Sequence, residues 1–344
     1  MPTRHQFSIL KQIVDLIPRK LVGQLATKHG VDGKSRGFKA ISHVVSMLFA
    51  QLSHALSLND VCDTMRNHAG AVAVVRGASP PSRNGLSDAN RERNADMAEA
   101  LFWETLASLQ KQAPNFGMGR NYVGVPRRFK RLINVVDSST IQLVANCMDW
   151  AKHRRRKAAA KCHMRLDLQT FLPRFAIVKA GNTHDSKEAE MLCADMRDGE
   201  VVVFDKAYEV NGKDKVMSFI TNNTIWASSS ICDLYKARWG IEVFFKQIKQ
   251  TLQLADFLGH NENAVRWQIW TALLTYILLR FIAFMSKWTG SFARLFTILR
   301  GTLWSRLDMY SVLADCCGTA TGPPRMCAVP HQAYLPGFAL GAKA

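Results

Sequence analysis

Tyr235, Arg238, Glu242 and Lys249 stand at offsets of 0, 3, 7 and 14 in YKARWGIEVFFKQIK, residues 235–249. At about 100° per residue, an α-helix sets them at roughly 0°, 300°, 340° and 320°. One narrow stripe then carries a phenol, a carboxylate and two cations. Leu234, Ile241, Phe244, Phe245, Ile248 and Leu252 fall beside it at about 180–280°, which gives the helix an apolar seam for a core. A carboxylate flanked by Arg and Lys suits work on a phosphodiester: the acid holds a hard cation and the bases hold the strand.

Two further acids follow apolar runs. Asp137 comes directly after Leu132–Val136, and Asp205 after Val201–Phe204. Either placement alone is also that of an ordinary turn or strand end. Taken with Glu242, they supply oxygen ligands from separated segments. Two Mg²⁺ ions about 3.5–4 Å apart need such a set to activate an attacking oxygen and stabilise a leaving one.

The rest of the chain must position these groups. With 344 residues it has room for two or three domains and a sizeable core. The net charge of +18 is far outside the range of about 2–8 usual for a small domain. It points to a polyanionic partner, nucleic acid before membrane. The eight cysteines form no CxxC pair and no zinc spacing, which fits a reduced cytoplasmic compartment. MPTRHQFSIL lacks the apolar core of a signal peptide. The run Ile269–Leu279 is too short to span a bilayer and reads as a buried helix.

Apolar spacing predicts a helical domain over 1–117, either a packed bundle with no role of its own or a DNA-binding domain, with Ser57 or Asn59 as a cap and SPPSRNG (79–85) as a loop. From about 118 the pattern changes to strands: one before Asp137, two around Leu172-Pro173, one before Asp205 and one in KVMSFITNN. A helix starts near Thr183 or Asp185, and Ser228 or Ser230 caps the helix that opens into the signature. Strands, helix, strand and long helix make an α/β unit over 118–255. Residues 256–344 return to helix and end in an irregular tail. KHRRRK (152–157), with Arg154, Arg155 and Arg156, and RRFKR (127–131) are solvated basic loops or DNA-backbone contacts. His163 and His184 have no partners at metal spacing; His163 reads as structural and His184 as a helix-start residue. Trp239 is expected to pack under Arg238, with base stacking as its other reading. Trp267 and Trp270 are expected in the core.

The constellation resembles the DDE transposases of bacterial insertion sequences, the "IS-four" class. Their Tyr-(2)-Arg-(3)-Glu-(6)-Lys signature is matched at every spacing by Tyr235, Arg238, Glu242 and Lys249. VVDSST around Asp137 and VVFDKAY around Asp205 look like the family's two aspartate motifs. SSICDLYKARW, QIKQTLQLADFLGHNENAVRWQIWTALL and GLSDANRERN extend the likeness over nearly the whole chain. The resemblance implies an RNase H-like catalytic core flanked by N- and C-terminal helical regions. Asp137 and Asp205 would lie on neighbouring strands, with Glu242 on a helix across the sheet's end. It implies Mg²⁺-dependent cleavage at inverted terminal repeats, with Mn²⁺ as a substitute, and then strand transfer into target DNA. In that reading Asp137, Asp205 and Glu242 hold the metals, while Tyr235, Arg238 and Lys249 contact the DNA end. The implied partners are double-stranded DNA and further copies of the chain, with no membrane. The implied place is the cytoplasm, on the nucleoid when bound.

The chain departs from the family in one place. Members carry a long, mostly β insertion between the second aspartate and the glutamate, and here only 36 residues separate Asp205 from Glu242. Lys206–Lys215 is too short for a parallel crossover of a dozen or more residues, and Asn211-Gly212 is a hairpin signal. A strand at Val216–Ile220 would then run antiparallel to Val201–Phe204. Two competing readings follow: an internally deleted remnant that binds DNA without cutting it, and a different metal-dependent nuclease on the same fold.

Overall fold

The computed structural model describes residues 1–32, 37–117, 129, 131–143, 147, 151–154, 157–180, 185–204, 221–252 and 258–317. Seven helices come first: α1 (Ile9–Val14), α2 (Leu21–Lys28), α3 (Ala40–Ser53), α4 (Leu58–Asn67), α5 (Ala69–Val74), α6 (Arg83–Glu92) and α7 (Asp96–Gln112). Ser57 starts α4 with a capping box: its hydroxyl accepts from Asp60 N–H while the Asp60 carboxylate accepts from Ser57 N–H. The expected loop at 79–85 is shorter than that. Its last residues already belong to α6, because the Ser82 hydroxyl accepts from Gly85 N–H and nucleates the turn.

A mixed sheet follows. Strand β1 (Ile133–Leu143) pairs antiparallel with β3 (Lys157–Asp167), which pairs antiparallel with β4 (Leu172–Ala180). The short β2 (Lys152–Arg154) forms a hairpin with the start of β3, so part of the expected KHRRRK connection is strand. Helix α8 (Asp185–Cys193) leads to β5 (Val201–Val203), which lies parallel to β1 on its other side. The strand expected over 216–220 lies outside the described residues.

Both faces of the sheet are covered. Side chains alternate along a strand. Ser139 and Ile141 of β1, with Cys162 and Met164 of β3, meet Phe244, Phe245 and Ile248. Arg165, one residue out of step, faces the other way, and its guanidinium donates to Leu192 O of α8 at 2.9 Å. His163, on that same side of β3, is buried.

The signature segment divides into α9 (Ser228–Ala237), a turn at Arg238, α10 (Trp239–Lys246) and a π turn over Gln247–Thr251. Neither Ser228 nor Ser230 caps α9. Ala227 is the N-cap and offers no side-chain acceptor. Then come α11 (Glu262–Met285), α12 (Phe292–Gly301) and α13 (Met309–Cys317). Helix α11 is longer than the expected apolar run, since Asn261 caps it at 261 and it continues to Met285. It is long and apolar enough to cross a membrane, yet it lies at the centre of the molecule, packed on α3, α6, α7 and α12. Trp267 and Trp270, each 1% exposed, sit on it. One apolar core runs from α1 through the sheet and α10 to α13.

Candidate active site

Asp137 lies within β1, not at its end. The apolar run stops there, but pairing with β3 carries the strand on to Leu143. By alternation, Asp137 shares the face of Ser139 and Ile141, which is the face that receives α10. The apolar seam read from the sequence does this docking. Leu234, Ile241, Phe244, Phe245, Ile248 and Leu252 are all buried. About 25 cal/mol per Å² of apolar area removed from water presses this seam onto the sheet and fixes which way the polar stripe points.

Arg238 stands between the two described acids. Its Nη1 lies 3.2 Å from Asp137 Oδ2 and 3.6 Å from Glu242 Oε1. The turn at Arg238, which separates α9 from α10, leaves its backbone in helical geometry, so the i,i+4 relation to Glu242 survives. Its guanidinium also lies over the Tyr235 ring at 5.8 Å. Asp137 Oδ1 accepts from the Ser138 N–H at 2.7 Å. Arg238 is 12% exposed and Glu242 41%, so the site opens on the glutamate side.

Lys249 joins from the π turn. Its ammonium donates to the Thr140 carbonyl at 2.7 Å, three residues along β1 from Asp137. Burial pulls its pKa below the usual lysine value, against the opposing pull of Cys162, Glu242 and Asp137. Burial also pushes the neighbouring Cys162 thiol up to about 12, so it stays protonated.

Tyr235, Arg238, Glu242, Lys249 and Asp137 are therefore brought to one place. Asp205 lies outside the described residues, as do Arg155 and Arg156, and Arg154 is placed only as backbone of β2. Trp239 does not pack under Arg238 as expected. It is 68% exposed, because the seam is already filled by the phenylalanines and Trp239 falls on the opposite side of the helix. Gln51, His54 and Thr140 also touch the signature segment, and nothing in their sequence context marks them.

Asp137 and Glu242 converge on a single positive group from a strand and a helix. An all-oxygen donor pair of that kind suits a hard divalent cation. Among the described residues no group of three or more His, Cys, Asp or Glu side chains comes together for a metal.

Residues 128–218 and 217–278 match the model of a transposase DDE domain, and residues 5–72 match a domain of unknown function, DUF4372. A putative transposase, y4zB, of Sinorhizobium fredii (strain NBRC 101917 / NGR234) is 24% identical over 300 residues, covering 67% of this chain and 80% of the relative. A probable transposase for insertion sequence element IS5377 of Geobacillus stearothermophilus is 24% identical over 227 residues, 46% of this chain and 59% of the relative. Among solved structures, a piggyBac transposase synaptic complex with hairpin DNA aligns over 92% of this chain and 80% of its own. Its 8% identity and TM-score of 0.37 make that likeness too slight to bear on the fold.

Proposed function

The chain belongs to the DDE transposases of insertion sequences, and from that premise we propose that Asp137, Asp205 and Glu242 form its acidic centre on an RNase H-like core. Its function is DNA transposition, by cleavage and strand transfer. The observation that carries the site reading is the convergence of Asp137 and Glu242 on Arg238. Register supports the third acid. Val203 pairs with Val135, and Asp137 and Asp205 each stand two residues further on in their own segments.

The family uses divalent metal ions, and Mg²⁺ is the choice proposed here, held by the three acids. When bound, it supplies Lewis acidity to the attacking and leaving oxygens. The remaining work falls to the chain's own groups. Arg238 holds Asp137 and Glu242 together and offsets their mutual repulsion. Tyr235, Arg238 and Lys249 would line the path of the DNA end and meet its phosphates, and the net charge of +18 would draw the duplex in. The exposed Trp239 would add a flat apolar surface beside that path. Residues 1–117, 118–255 and 256–344 would act as helical, catalytic and helical regions, with more than one copy assembled on the DNA.

The shortened core is supported by the comparisons. The 300 aligned residues of the y4zB relative fall on 67% of 344 residues here, about 230, leaving about 70 without a counterpart. The second relative gives nearly the same difference, 227 against 46%, about 158. The split of the DDE match at 217–218 is where the family's insertion is expected. Both relatives are named transposases, so the binding-only remnant is not the favoured reading.

The test is to incubate the full chain with a labelled duplex bearing the element's terminal repeat, with and without Mg²⁺, beside Asp205→Ala. Mg²⁺-dependent nicking at the repeat boundary, absent in the variant, is the expected result. A shifted but uncut duplex would return the remnant reading.

A further inference from the structure

The segment that carries Glu242 and Lys249 ends on two side chains from the N-terminal helices. Leu252 N–H donates to Gln247 O at 3.1 Å, the i→i+5 bond of a π turn. Such turns take an extra residue into one turn, have poorer bonding than an α-helix and recur at functional sites. The carbonyls of a final turn have no donors within their own helix. Here α3 supplies them: Gln51 Nε2 donates to Leu252 O, and His54 Nε2 donates to Thr251 O at 2.8 Å.

Both donors are themselves held. Gln51 is buried. His54 ends α3 in the left-handed region, with φ 58 and ψ 46, and its ring stacks on Phe296 at 4.7 Å. Its Nδ1 meets Arg300 Nη1 at 2.9 Å. A guanidinium only donates, so Nδ1 accepts, and the ring proton sits on Nε2, where Thr251 needs it. Lys249 lies inside the turn that this pair closes, with its ammonium on Thr140 O.

We propose that Gln51 and His54 are positioning residues that fix the π turn, and through it the phase of Lys249 beside Asp137 and Glu242. The helical region before the catalytic unit thereby takes part in building the site. Release of the turn into α geometry would rotate Lys249 and everything after it, and would withdraw the ammonium from β1. The proposal rests on the reading of Lys249 as part of the DNA-handling stripe.

The test is pulse acetylation of the full chain with acetic anhydride, reading Lys249 against the exposed Lys246 by mass spectrometry. Rates are taken over a pH series and compared as those of the free amine, so that the lowered pKa of Lys249 drops out; on that scale Lys249 in the wild type should react about fivefold more slowly, the factor that one net hydrogen bond gives. His54→Ala should bring the two to within about twofold of each other. His54→Gln, which keeps an N–H donor, should restore protection. Leu109→Ala, a core truncation in α7 away from the clamp, should lower Tm and leave the ratio alone. Should His54→Ala fail to fold, Gln51→Met, which removes the other donor and keeps most of the side-chain volume, takes its place with the same expectation. A ratio unchanged by loss of the clamp, or raised equally by Leu109→Ala, overturns the proposal. The labelling uses neither DNA nor metal. A clamp-dependent ratio in a protein that cuts no repeat would therefore sink the site reading alone.

Discussion

Arg238 shows how one residue can hold a site together without carrying much of the fold. Its pair with Asp137, at 3.2 Å, joins two groups that are 12% and 16% exposed. Its pair with Glu242, at 3.6 Å, reaches a carboxylate that is 41% exposed. Exposed pairs of the second kind contribute about 0–1 kcal/mol. Glu242→Gln should therefore leave Tm within about 2–4 °C of the wild type, since Arg238 keeps Asp137. The same substitution should lower cleavage at the terminal repeat by about 10²-fold or more, because a charged ligand and electrostatic stabiliser is gone. Melting and cleavage measured on one preparation check both halves, and a large fall in Tm would place Glu242 among the groups that hold the fold.

Helix α10 depends on close approach as much as on its seam. A Cβ added at Gly240 would lie 2.5 Å from Leu168 Cδ1 and 3.4 Å from Phe171 Cζ, in the turn between β3 and β4. Gly→Ala inside a helix ordinarily gains about 1 kcal/mol. Overpacking against a buried leucine costs about 1–3 kcal/mol, so Gly240→Ala should be destabilising by about 1 kcal/mol on balance. The denaturation midpoint measures this, and a higher midpoint would mean that α10 stands off the sheet. The sequence shows the apolar seam of this element plainly. It does not show the break at Arg238 or the π turn, because both answer to contacts with β1 and α3 and not to local propensity.

Across the whole molecule, a buried polar node fastens the N-terminal helices to α11. His43 Nε2 meets Asn90 Oδ1 at 2.8 Å, and the His43 ring lies 4.4 Å from that of Trp267. Asn263 Nδ2 donates to Arg93 O and Asn90 O, and Trp267 Nε1 donates to Arg93 O at 2.7 Å. Complete burial lowers the His43 pKa from 6.5 to about 3. Between those values the unfolded chain binds a proton that the folded one refuses, so stability is fully present above pH 6.5 and is lost as pH falls below it. The slope is about 1.4 kcal/mol per pH unit for one proton. Denaturant titrations from pH 7 to 4 should show His43→Gln losing less stability than the wild type by about that slope. Equal slopes would mean that His43 charges within the fold.

Local order in the sequence determined a good deal of this protein. Helical periodicity gave the six buried seam residues of the signature, and short apolar runs gave the strands before Asp137 and around Leu172-Pro173. Covalent spacing is enough for these, since neighbours on one face are a few residues apart. The signature's spacing also carried the family. Tertiary structure alone decided that Asp137 sits in mid-strand and that Arg238 joins Asp137 to a glutamate 105 residues further along the chain. It also decided that a histidine at position 54 closes the turn holding Lys249. Each of these is a contact between segments far apart in the chain. Its free energy depends on which surfaces the assembled core brings together, and no periodicity in the sequence encodes that.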